Sequence, residues 1–202
     1  MTIQLWFLYL TTISMVIVSP GPNSMFCVGL GANRGFLHGM CGALGGATAA
    51  AINLSIALFF IGFISKHATA LQMLQYVGAV YLMYIAYTYI KEAGEQIVID
   101  LNEKSITKWQ GYKQAAIIGL SNPNDLAFFI FLLPGFINPA TFTLVHYATI
   151  VGTWVIAECC IMSGYVLLGE RVLTSAFGTN KKILNYVLSG IFFVLSISLL
   201  VK

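Results

Sequence analysis

Two proline–asparagine pairs, Pro22-Asn23 in SPGPNSMF and Pro123-Asn124 in SNPNDLAFF, interrupt segments that are otherwise apolar. Proline removes a backbone donor and disfavours a helical residue before it. In a bilayer core each unsatisfied backbone group costs several kcal/mol, so such a break persists only where protein buries it or where it lines a cavity. Ser19-Pro20 and Asn122-Pro123 each put a capping residue before a proline, the pattern that starts a helix. A helix N-terminus offers unpaired N–H donors and a partial positive charge, which suits a carboxylate. The carboxamides of Asn23 and Asn124 supply donors and acceptors for the rest of a ligand. Two opposed N-termini therefore suit one end of a zwitterion. The plainer alternative is a pair of proline kinks with capped ends and no ligand.

Two carboxylates lie in apolar surroundings. Asp125 follows Asn122 by three residues, so it either closes a capping box on the second half-helix or meets a substrate amine. Glu158 lies in GTWVIAECCIMSGY with no basic residue in that segment. A carboxylate at bilayer depth is costly, and such residues mark ion pathways or proton relays. Desolvation favours the neutral form, so Glu158 is expected to carry or assist a coupling proton. The structural alternative is a protonated glutamate bonded to a neighbouring helix. His38, His67 and His146 are scattered at segment ends and receive no ligand role. Tyr76, Tyr81, Tyr84 and Tyr87 either line a pathway or anchor an interface. Cys27, Cys41, Cys159 and Cys160 show neither a zinc spacing nor a CxxC pair and read as small apolar packing residues. No metal site, catalytic constellation or cofactor is expected, and the chain does not read as an enzyme.

The elements that must position these residues are membrane helices. Of 202 residues 58% are hydrophobic and 8% charged, far fewer charges than the roughly 25% of a soluble domain. Apolar runs near the length of a bilayer crossing recur at about 3–22 (extending toward 31), 40–64, 70–90, 112–134, 143–168 and 184–201. The N-terminus lacks the basic region of a signal peptide, so the first run is expected to be retained as a span. With both termini outside, the inner loops hold eight cations and the outer side two, as the positive-inside rule favours. Trp109 and Tyr112 suit the interface where the fourth span enters. No basic stripe suggests nucleic acid.

The polar stretch 91–111 divides the chain into a first three-helix repeat, 1–90, and a second, 112–202, with 91–111 as a cytoplasmic linker. An odd number of spans per half places related halves in opposite orientations. The match of Pro22-Asn23 to Pro123-Asn124, and of YVGAVYLMY to YVLSGIFFV, supports the relation. Interrupted segments at matching places in two halves point to a transporter's binding site. The fold expected is an all-α integral membrane protein, six helices in two inverted repeats with helices 1 and 4 broken. Gly31, Gly35 and Gly39, with Gly42, Gly45, Gly46, Ala47, Ala49, Ala50 and Ala51, make one flank of the second span small enough for close helix packing. A homo-oligomer face or a moving contact is the other use of such a flank.

Together SPGPNSMF, GFLHGMCGALGGATAAAINLSIALFFIGF, LQYVGAVYLMYIAY and GLSNPNDLAFFIFLLPGFINP resemble the LysE/RhtB family of amino-acid exporters over nearly the whole chain. The resemblance implies six membrane helices in two inverted halves and proton-coupled export through a bacterial cytoplasmic membrane. The expected substrate is a small neutral amino acid such as threonine or homoserine. Its expected contacts are Ser19, Pro22, Asn23, Asn122, Pro123, Asn124 and Asp125, with Glu158 and Asp125 serving the proton. Gly46 stands where many members carry aspartate, and Asn138 where the family often has another. Two other functions compete: export of inorganic cations or other small solutes, and membrane thiol–disulfide electron transfer. The first lacks a convergent ligand set in the spans. The second lacks a cysteine at Phe128, the position equivalent to Cys27.

Overall fold

A computed structural model describes residues 2–18, 21–64, 67–92, 106–137 and 141–175, with six further positions between 186 and 197. Among the described residues the α-helices follow in the order α1 (Ile3–Val18), α2 (Pro22–Arg34), α3 (Phe36–Ile64), α4 (Ala68–Glu92), α5 (Lys108–Leu120), α6 (Pro123–Leu132) and α7 (Leu144–Ser175). A 3-10 turn, Leu133–Gly135, extends α6. Among the described residues there is no strand.

The first and fourth apolar segments are each broken. The α1 and α2 axes meet at 62°, and α5 meets the α6 segment at 55°. By length and composition α3 and α7 are able to cross a membrane, and up to four crossings result if each bent pair is one. The third expected span, 70–90, falls on the 25-residue α4, which is not among those candidates. The sixth, 184–201, lies outside the described residues apart from scattered helical positions such as Tyr186 and Ser189. Most of the 91–111 linker also lies outside them.

Helix α5 starts four residues before the apolar run suggests. Thr107 caps it, accepting from the Gln110 amide while Gln110 Oε1 accepts from the Thr107 amide at 2.8 Å. That reciprocal box satisfies two otherwise orphan donors, so the helix begins in the polar stretch. On its first turns Trp109 and Tyr112 stack at 5.2 Å with Lys113 above the indole, an amphipathic group of the kind that suits a membrane interface.

Helix α3 is the central element, packed against α2, α5, α6 and α7. Its small flank makes this approach feasible. A Cβ at Gly39 would sit 2.6 Å from Val166 Cγ1 of α7, and one at Gly42 would lie 3.2 Å from both Cys27 Sγ and Leu30 Cδ1 of α2. Gly45 meets the Tyr112 backbone of α5, and Gly119 of α5 in turn faces Ala49. These glycines are consumed by packing within the chain, the use expected of small residues between membrane helices. The outward faces are apolar: Phe59, Val80 and Leu144 are among the most exposed side chains. Such surfaces fit lipid as their solvent.

Candidate functional site

At the first break, α1 stops at Val18 and α2 starts at Pro22. The expected start at Ser19-Pro20 is corrected. The N-cap is Gly21, extended at φ −107° and ψ 178°, with no side-chain cap. Pro22 is the cause, because a residue before proline is pushed out of the helical region and proline is well placed at the first helical position. Ser19 and Pro20 themselves lie outside the described residues. The intrahelical ladder begins with the Met25 amide on Gly21 O at 3.0 Å. The amides of Asn23 and Ser24 lie in the first turn of α2, the end of a helix that carries its partial positive charge.

At the second break α6 starts at Pro123 directly after Asn122, as expected. The Asn122 carboxamide donates to the Asp125 carboxylate, so Asp125 is engaged with its own helix start. The side chains of Pro123 and Asn124 lie outside the described residues.

The Asn23 side chain points at Gly46 of α3. A Cβ at Gly46 would overlap Asn23 Nδ2 and would lie 3.2 Å from Glu158 Oε1. Asn23, Gly46 and Glu158 thus converge from α2, α3 and α7 on one point. Among the described residues, Asn23 Oδ1 is the single buried side-chain nitrogen or oxygen with no hydrogen-bond partner. Glu158 is 7% exposed, and its Oε2 accepts from Trp154 Nε1 at 2.9 Å. Asp125 lies close enough to act electrostatically on Glu158. The two sequence-derived carboxylates and the first asparagine therefore belong to one region. Cys27 is fully buried beside it, and all four cysteines are free.

The tyrosine set separates. Tyr76, Tyr84 and Tyr87 of α4 are exposed on the apolar surface. Tyr81 turns inward, tilted against Phe131 at 5.0 Å, and lies within electrostatic reach of Asp125. Gly78 permits this contact between α4 and α6, since a Cβ there would meet Phe131 at 3.1 Å. His146 is bound to Thr143 at 2.9 Å, away from the breaks. Among the described residues no three His, Cys, Asp or Glu side chains gather in a metal-holding group.

Two residues at the breaks carry no motif. Asn53 of α3, 3% exposed, donates to Gly119 O at 3.2 Å. Tyr165 of α7 donates to Val18 O. A lone carboxamide inside AINLSIALFF was the available signal for Asn53. Tyr165 offered none, because tyrosine is common at the ends of membrane helices.

The fold and this region define a helical membrane protein whose first and fourth apolar segments are broken beside buried polar side chains. The chain belongs to the LysE type translocator family, which matches residues 14–202. It is 28% identical over 196 residues to a homoserine/homoserine lactone efflux protein of Salmonella typhimurium, covering 95% of this chain and 94% of that one. A leucine efflux protein of the same organism is 28% identical over 181 residues, covering 87% and 83%. An uncharacterized membrane protein of Vibrio cholerae is 22% identical over 173 residues, covering 85% and 84%. No solved structure matches.

Proposed function

We propose that this protein is a secondary transporter that exports small neutral amino acids, homoserine- or threonine-like, across the bacterial cytoplasmic membrane at the expense of a proton gradient. Six helices in two inverted halves, 1–90 and 112–202, would carry the site, with linker 91–111 cytoplasmic and both termini outside. Two relatives named for homoserine and leucine efflux, each similar over most of its length, support amino-acid export.

The observation that carries the reading is the unpartnered Asn23 Oδ1, buried at the start of a half-helix beside Glu158. A buried acceptor without a donor is costly, and a ligand ammonium group is the donor this site lacks. The first-turn amides of α2, at Asn23 and Ser24, take the carboxylate of the same ligand. Asn124 and Asp125 complete the site from the second break, and Glu158 takes the proton. The polar groups engage the two charges that every amino acid has. A cationic side chain would ask for negative charge beyond Asp125 and Glu158.

Purified protein in liposomes loaded with labelled homoserine, threonine, leucine or lysine tests this, with and without a pH gradient. Export of the neutral substrates over lysine, accelerated by the gradient, is the expected result. Absence of amino-acid flux, or a preference for lysine, contradicts the proposal.

A further inference from the structure

The prolines that start α2 and α6 each deprive a carbonyl four residues earlier. In a continuous helix Val18 O would accept from residue 22 and Gly119 O from residue 123, and both positions are proline. A carbonyl orphaned inside the bilayer must find another donor. Each of the two accepts from a side chain on a different helix, and Gly119 O also takes backbone amides of its own turn. The Tyr165 hydroxyl of α7 donates to Val18 O. Asn53 Nδ2 of α3 donates to Gly119 O at 3.2 Å, shorter than the 3.4 Å approach of the Asn122 amide to that oxygen.

The donors cross the chain. The break before residue 91 is held from α7, and the break after residue 111 is held from α3. Tyr165 also lies seven residues, two helical turns, beyond Glu158, which places both on one face of α7. That face meets the first break at two heights, with the Tyr165 hydroxyl on the end of α1 and Glu158 beside Asn23 at the start of α2.

We propose that Tyr165 and Asn53 are paired positioning residues. Each donates to the carbonyl that loses its i+4 amide to the proline of the opposite half and thereby fixes the bend of that broken helix. Neither contacts substrate. Their effect is on the aim of the α2 and α6 N-termini, and each bond also ties one half of the chain to the other.

The kinetic part of the test rests on the export reading, and a second part does not. Tyr165→Phe removes one oxygen atom, and Asn53→Leu keeps the branched shape, in a larger side chain, without the donor. Each should raise the transport KM about tenfold, the effect of one lost buried hydrogen bond, with the maximal rate changed less than about twofold. Independently, spin labels at Leu8 of α1 and Asn33 of α2, in a background without the four native cysteines, report the first bend. Tyr165→Phe should shift or broaden that distance distribution, and Asn53→Leu, which holds the other break, should leave it alone. An unchanged distribution in Tyr165→Phe overturns the proposal, as does lowered thermal stability with KM and distance both unaltered. If the wild-type protein moves no amino acid, the export reading fails while the distance measurement still decides this one.

Discussion

At the scale of residues, the Asn23 carboxamide fits because position 46 has no side chain. The glycine of α3 provides the room in which α2 and α7 bring Asn23 and Glu158 together. Gly46→Ala should therefore push Asn23 out of place, since the added Cβ collides with a carboxamide held between packed helices. We expect at least a tenfold fall in export and a loss of about 1–3 kcal/mol in stability, the usual range for overpacking. Transport assays and thermal unfolding in detergent measure the two effects, and wild-type values in both would remove Gly46 from the site. Glu158 has a different role to test. Glu158→Gln keeps the shape and still accepts from Trp154, yet it cannot titrate. Amino-acid exchange should continue in this variant while uphill export driven by a pH gradient is lost. Full gradient-driven export by Glu158→Gln would assign the proton elsewhere.

At the scale of elements, both breaks are where the proline–asparagine pairs place them. Backbone chemistry is local, so the bend positions and the start of α6 could be read from a few residues. The start of α2 could not, because Ser19-Pro20 and Gly21-Pro22 compete and the extended conformation of Gly21 decides for the second. Asn53 and Tyr165 escaped notice for a different reason: what they do depends on which carbonyl the fold sets beside them. Glu158 could be picked out by its cost in lipid, but its proximity to Asn23 and Gly46 arises from three helices distant in sequence. Asn122 is the element-scale residue most open to test. It stands at the N-cap of α6 and donates to Asp125. Asn122→Ala should lower stability by about 1 kcal/mol, the usual loss for an N-cap, seen as a lower midpoint in thermal unfolding. An unchanged midpoint would show that α6 does not depend on this cap.

At the scale of the whole molecule, the proposed orientation rests on charge and the proposed site on the breaks. Cations concentrate on the loops assigned to the cytoplasm, so the 91–111 linker should be inaccessible from outside. Single cysteines at Thr2 and Asn102, in a cysteine-free background, check this with an impermeant thiol reagent on intact cells. Labelling at Thr2 with protection at Asn102 is expected, and the reverse pattern would invert the topology. The central claim is that a transported amino acid occupies the first break and supplies the donor that Asn23 Oδ1 lacks. Export of labelled homoserine by Asn23→Ala, compared with wild type in the same liposomes and at matched protein levels, tests it most directly. Loss of the polar partner should weaken substrate affinity by about ten- to a hundred-fold, with the protein still folded. Export by Asn23→Ala at the wild-type KM and rate would contradict the account.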